Sequence, residues 1–250
     1  MTQDEMRQQA KELIASGQVN VVIGFALDEY GRPTPAFIRS ADDTDRLIWD
    51  EHCQANLVGY LKRPEVRKLG KAAVVVNVQA KRAINVLIAE SQLEPGDVEL
   101  IDMEPEAATD PSRYDKLQML QKMSREERLA YWKKEFSRCF KCYACRQVCP
   151  MCYGEVCIAD KNRPVRFDTS ATLKGNFAWH VSRAFHLAGR CVSCGACADA
   201  CPAGIDLSLL NLTLAKSAEE QFDGYLAGET PETLPIIGTF SAEDKEAFIR

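Results

Sequence analysis

Apolar residues gather into short runs over the first hundred positions of the chain and fall at helical spacing further on. Residues 19–26 (VNVVIGFA) form an apolar run ended by Asp28 and the turn Gly31-Arg32-Pro33, the pattern of a buried strand. Residues 35–40 (PAFIRS) predict a second, shorter strand. Across 43–61, Leu47, Ile48, Leu57, Val58 and Leu61 have loosely helical spacing, interrupted near Cys53. Residues 72–77 (AAVVVN) read as another buried strand, and Ala80, Ile84, Leu87 and Ile88 predict a helix over 80–91, followed by Pro95-Gly96. Residues 98–103 (VELIDM) predict one more strand. Strand, helix, strand over about thirty residues is a βαβ unit, so a parallel pair is expected.

Residues 104–111 (EPEAATDP) are acidic and turn-like, the composition of a linker. A capping box of Ser124 with Glu127 opens a helix over 124–136, with Leu129 and Trp132 on its other face. A further helix is predicted over 173–187, with Gly189 as its stop. Asp206 reads as the N-cap of a helix from 207 to about 222, with Gly224 just beyond. The last 25 residues, including TLPIIGTF, have no core of their own and predict docking on this chain or on a partner. The expected fold is an α/β N-terminal domain followed by an α+β domain with a helical insertion and a C-terminal helix. Its expected divisions are 1–110 for the α/β domain, 111–136 for a connecting helical segment, 137–225 for the α+β domain and 226–250 for a docking tail.

Composition narrows the function classes. Hydrophobic residues make up 46% and charged residues 27% of the 250 positions, close to soluble globular averages. A net charge of −5 gives no bulk reason to bind nucleic acid or an anionic membrane. No apolar run approaches the ~20 residues of a membrane-spanning helix. The opening MTQDEMRQQAKELIASG lacks the apolar core of a secretory signal, so a soluble, cytoplasmic chain is expected. Eleven cysteines are the anomaly, ten of them between Cys139 and Cys201. Clustered thiols without an export signal favour metal ligation over disulfides.

The first run is CFKCYACRQVCP, with Cys139, Cys142, Cys145 and Cys149 before Pro150. The second is CVSCGACADACP, with Cys191, Cys194, Cys197 and Cys201 before Pro202. Both have the spacing Cys-x₂-Cys-x₂-Cys-x₃-Cys-Pro of bacterial two-cluster ferredoxins. Three thiolates two residues apart wrap one cubane on a single tight loop, and the fourth cysteine heads into the next segment to ligate the other cluster. The expected ligand sets are therefore Cys139, Cys142, Cys145 and Cys201 for one 4Fe–4S cluster, and Cys191, Cys194, Cys197 and Cys149 for the second, which makes the expected α+β domain (137–225) a dicluster ferredoxin-like one. Pro150 and Pro202 turn the chain after each remote ligand. Gly195 admits close backbone approach. Phe140, Tyr143, Val148, Val192 and Ile205 are expected to shield the clusters from water. Zinc sites built from separated Cys-x₂-Cys pairs fit this doubled pattern poorly.

Cys152 and Cys157 follow the first run, and with Cys53 they are candidate extra ligands or an additional metal site. The other reading is reduced, buried thiols. His180 and His186 lie on different faces of one predicted helix, suited to hydrogen bonding near a cluster or to ordinary structural roles. His52 beside Cys53 has no other partner nearby. Arg138, Lys141, Arg146 and Arg190 flank the cluster loops, either to stabilise reduced clusters or as a solvated rim. No Ser-His-Asp arrangement, P-loop or Gly-x-Gly-x-x-Gly is present. The turn Val78-Gln79-Ala80 has no glycine to admit a pyrophosphate, so a flavin in the N-terminal part is without support from the sequence.

The segments RCFKCYACRQVCPMCY and RAFHLAGRCVSCGACADACPAGIDLSLLN, with Cys53, Asn56-Leu57 and Tyr60-Leu61, carry a wider resemblance. The chain resembles redox-complex proteins distantly similar to the β subunit of deazaflavin-coenzyme-dependent hydrogenases and formate dehydrogenases, specifically so from about Arg138 to Asn211. It departs from them in two places. Asn77-Val78-Gln79-Ala80 stands where relatives have a Lys-Gly-Cys-Asp-like turn, and Gly154 where they tend to have cysteine. The resemblance implies an iron–sulfur electron-transfer subunit between a donor (hydrogenase, formate dehydrogenase or flavoprotein) and an acceptor such as a heterodisulfide-reductase-like complex. The departures tilt the reading from enzyme toward carrier. The alternatives are a flavin-containing oxidoreductase with an active site in the N-terminal domain, and a structural or assembly iron–sulfur protein.

Overall fold

The computed structural model describes residues 1–103, 111–160, 163–164, 168 and 170–238. Residues 104–110 of the expected linker (104–111) and residues 239–250 of the expected tail lie outside them, while Pro111 already begins a helix. A capping box between Thr2 and Glu5 opens helix α1 (Gln3–Ala15). Strands β1 (Val21–Leu27), β2 (Pro33–Ile38), β3 (Ala72–Val76) and β4 (Val98–Asp102) form one sheet in the order β2-β1-β3-β4. β1 pairs antiparallel with β2 and parallel with β3, and β3 pairs parallel with β4. The expected βαβ unit is thus β3, helix α3 (Val78–Ala89) and β4.

The near-continuous apolar runs are explained by burial on both faces of the sheet. Strand residues alternate between two cores. Val21, Ile23, Phe25, Val74 and Val76 pack with Ile84 and Leu87 of α3 on one face, while Val22, Val75 and Ile101 pack with Met6 and Ala10 of α1 on the other. Gly24 keeps its strand open to Leu47, whose Cδ2 lies 2.5 Å from where a Cβ would sit.

The helical reading of 43–61 is corrected. Two 3₁₀ turns, Ala41–Arg46 and Leu57–Tyr60, flank a bridge between Ile48 and Phe25. Ser40 and Asn56 cap those turns with their side chains, and the apolar residues cover the sheet without a continuous helix. A short helix α2 (Pro64–Arg67) precedes β3.

Beyond residue 103 the described residues form helices and loops, without the strands expected of an α+β half. Helices α4 (Pro111–Lys122), α5 (Arg125–Ser137), α7 (Leu173–His186) and α9 (Ser208–Gln221) surround two short ones, α6 (Ala144–Gln147) and α8 (Ala196–Asp199). The Ser124–Glu127 capping box is present. Leu129 is 42% exposed, while Trp132 packs against Phe136. Leu207 occupies the N-cap of α9 without a side-chain bond, and Asp206 instead accepts from the Ser208 hydroxyl and pairs with Lys116. The described part of the tail docks on this chain: Arg82 Nε donates to the Ala227 carbonyl at 2.9 Å, and Asn85 Nδ2 to that of Gly228 at 3.0 Å. The sheet core also takes in Met151, Leu187 and Val192, so both halves share one apolar interior.

Candidate metal centre

Each cysteine run is built the same way. The chain leaves the first cysteine and passes through two left-handed residues, Lys141 (φ 61°) and Tyr143 (φ 63°) in one run, Ser193 (φ 61°) and Gly195 (φ 76°) in the other. It then enters α6 or α8. Left-handed non-glycine residues cost about 1 kcal/mol or more each, so three of them mark backbone held by its surroundings. What the turns achieve is visible at the sulfurs. The Ser193 amide donates to Cys191 Sγ at 3.4 Å, the Ile205 amide to Cys201 Sγ at 3.4 Å, and the Lys141 amide to Cys139. At Gly195 a side chain would run into the buried guanidinium of Arg113, which pairs with Asp199 of α8. The glycine therefore makes room for Arg113 from α4, a neighbour the sequence did not suggest.

Cys139, Cys142, Cys145 and the remote Cys201 line one cavity. Its walls include Tyr143, Trp179, His180 and Ile205, while Phe140 at the rim is 61% exposed. His180 is buried, stacks on Phe136 and brings Nε2 to 3.3 Å from Cys139 Sγ. Burial, with Arg183 and Lys141 nearby, holds its pKa down at about 3, which leaves a neutral ring that donates to the sulfur in the tautomer with its proton on Nε2. Asn176 Nδ2 fixes the start of the loop through the Phe136 carbonyl (3.1 Å) and the Cys139 carbonyl (2.5 Å).

The other four cysteines lie deeper. Cys149, Cys191 and Cys194 pack against the sheet core, and Cys149 faces Cys194. Cys197 faces Cys191, Cys194 and Cys145. Asn211 Nδ2 reaches Cys197 Sγ at 3.7 Å. Asn56 Nδ2, buried and without a hydrogen bond of ordinary length, faces Cys194. Burial pushes the Cys145 and Cys191 thiols up to about 11.

Among the described residues no three His, Cys, Asp or Glu side chains converge to hold a single metal ion. A cubane gives each thiolate its own iron and sets the sulfurs wider apart than one tetrahedral ion does. A soft, all-thiol donor set around a shared cavity, with N–H groups aimed at the sulfurs, fits such a cluster.

The remaining candidates separate. Cys152 hydrogen-bonds with Cys149 and, with the Arg183 guanidinium also nearby, is held low. Cys157 packs beside Tyr143 and Trp179. Cys53 is bound within its own loop, 3.5 Å from Asp50 Oδ1, and burial pushes it up to about 12. His52 sits beside Glu51 at the surface. His186 lines a surface groove with Glu90, Tyr153 and Arg190.

The flanking cations are mostly clamps. Arg138 pairs with Glu135 and donates to the Ala203 carbonyl at 2.9 Å, Arg146 donates to the Gly154 and Glu155 carbonyls, and Arg190 pairs with Glu90. The cations that face the inner sulfurs are different ones. Lys62 donates to the Cys149 carbonyl at 2.7 Å, Arg82 faces Cys191 and Cys194, and Arg183 is enclosed among four cysteines. Two come from the N-terminal half, and spacing within the cysteine runs holds no signal for them. The signal for Arg183 was a charge on the helix face shared with His180. The turn after β3 offers no open helix end, because Asn77 Oδ1 accepts the Ala80 amide at 2.8 Å.

Comparison with known proteins bears on this geometry. Residues 135–205 match the family model of the 4Fe-4S dicluster domain. Over 110 residues the chain is 35% identical to the F420-dependent formate dehydrogenase subunit beta of Methanocaldococcus jannaschii. That match covers 44% of this chain and spans 28% of the relative's length. The cysteine-rich segment is thus similar to iron–sulfur dicluster domains, and the chain is a distant relative of a formate dehydrogenase beta subunit.

Proposed function

We propose that the chain is an iron–sulfur electron-transfer subunit with two 4Fe–4S clusters, one held by Cys139, Cys142, Cys145 and Cys201, the other by Cys191, Cys194, Cys197 and Cys149. The observation that carries this reading is the meeting of Cys201 with three cysteines of the other run around one cavity. When bound, the clusters supply one-electron exchange at iron. The residues around them position and tune. The Lys141, Ser193 and Ile205 amides and the His180 ring give hydrogen bonds to sulfur, and such bonds are a lever on potential. Tyr143, Trp179 and Ile205 limit water on the first site, and Val192 and Met151 on the second.

The two sites differ in access. Cys142 is exposed and Phe140 projects beside it, whereas the second set lies against the sheet. The donor is a hydrogenase, formate dehydrogenase or flavoprotein, and the acceptor a heterodisulfide-reductase-like complex. The kinship with a formate dehydrogenase beta subunit supports this assignment. The test is oxygen-free isolation of the chain with whatever accompanies it, followed by reduction through those proteins. Partner subunits in the eluate and cluster reduction by their substrate support the reading. A stoichiometric flavin on the isolated chain, reduced directly by a small substrate, contradicts it.

A further inference from the structure

Arg183 is 3% exposed, at the centre of the cysteine-rich half. Its Nη2 donates to the Cys145 carbonyl at 2.9 Å, while Nε is buried without a hydrogen bond. The sulfurs around it are those of Cys152, Cys149, Cys145 and Cys197. Cys145 belongs to one proposed ligand set, Cys149 and Cys197 to the other. Lys62 faces Cys149 and Cys152, Arg82 faces Cys191 and Cys194, and Lys141 faces Cys139, so each of these addresses a single set. Arg183 addresses both.

A buried cation costs several kcal/mol unless an anion compensates it. No carboxylate among the described residues forms an ion pair with Arg183. The groups in position to supply negative charge are Cys152, held low beside the guanidinium, and the thiolates of the two sites. Reduction adds one more negative charge at each, so a fixed cation between them favours every added electron through Coulomb attraction in a low-dielectric interior.

We propose that Arg183 is the shared counter-charge of both clusters, a positioning residue that raises both reduction potentials and eases entry of the second electron after the first. This rests on the two-cluster reading above. No bond forms or breaks at Arg183; one electron per site comes from the external reductant.

The experiment is a dithionite titration of the anaerobic holoprotein followed by electron paramagnetic resonance, on the wild type and on Arg183→Gln, Arg183→Lys and Arg82→Gln. In Arg183→Gln both midpoints should fall by at least a tenfold change in each reduction equilibrium, about 59 mV for a one-electron couple. Arg183→Lys should restore most of the shift, and Arg82→Gln should move one midpoint only. Two intact clusters with unchanged midpoints in Arg183→Gln, or a shift in one alone, overturn the proposal. If Arg183→Gln loses iron, Arg183→Lys decides: retained clusters at near-wild-type midpoints uphold the role of charge, and loss in both variants overturns it in favour of shape. A wild type with fewer than two clusters overturns the underlying reading, and iron analysis identifies that case before any variant is compared.

Discussion

Arg190 donates to both carboxylate oxygens of Glu90, from Nε and, at 2.6 Å, from Nη2, and so ties the loop after α7 to the end of α3. The two side chains are only 8% and 11% exposed. Arg190 also lies over the Tyr153 ring, 5.4 Å from its centroid, which adds a contact to the segment after the first cysteine run. Removing one partner of a buried ion pair leaves the other charge uncompensated, at a typical cost of about 3–5 kcal/mol. Glu90→Ala is therefore expected to lower the unfolding free energy of the anaerobic holoprotein by about 3 kcal/mol, read from urea denaturation. Replacing both residues by apolar ones should recover much of that loss. A change below about 1 kcal/mol in the single variant would show that the pair is solvated rather than structural.

The ligand sets make a prediction in iron counts. Cys201→Ser and Cys149→Ser should each cost one cluster, taking iron from about eight atoms per chain to about four. Cys53→Ser, Cys152→Ser and Cys157→Ser should leave about eight, because those side chains stand outside both sets. Anaerobic iron and sulfide analysis reads the result. Loss of iron in Cys152→Ser with none in Cys149→Ser would exchange those two cysteines as ligands.

Two glycines allow a controlled comparison. Gly195 (φ 76°) and Gly224 (φ 80°) both have left-handed backbone, but only at Gly195 does an added Cβ meet Arg113. Gly224→Ala should cost about 1 kcal/mol from conformation alone. Gly195→Ala should cost clearly more, because it also displaces the guanidinium that pairs with Asp199. Thermal midpoints of the two holoproteins decide; equal losses would mean that Arg113 moves aside freely.

Much of this was legible in the chain itself. Continuous burial in Val21–Phe25 and Ala72–Val76 follows from strands with apolar partners on both faces, and Ser124 announced its helix by local capping chemistry. The cysteine spacing likewise pointed to Cys139, Cys142, Cys145 and Cys201, which line one cavity. What stayed hidden depends on contacts between distant segments. Arg113, Lys62 and Arg82 reach the cysteine loops from α4 and from the N-terminal half, and no periodicity reports such a meeting. Residues 43–61 misled for a related reason: their apolar residues face the sheet from separate short turns, which imitates loose helical spacing.

Removing the metal should act unevenly. The sheet has its own cores with α1 and α3, whereas the cysteine half keeps Arg183 enclosed with no ion pair to a carboxylate among the described residues. Chelation under oxidising conditions should therefore speed amide exchange in α6, α7 and α8 while β1 and β3 remain protected. Hydrogen exchange with mass spectrometry reads this segment by segment. Equal loss of protection in both halves would mean that the shared core around Met151, Leu187 and Val192 couples them into one cooperative unit.

The most direct measurement is metal and sulfide analysis of the oxygen-free protein, combined with its paramagnetic spectrum after dithionite. Two cubanes require about eight iron and eight sulfide per chain and a signal from reduced 4Fe–4S centres. Zinc in the thiol sites, or a chain that holds no iron and stays silent on reduction, would contradict the account.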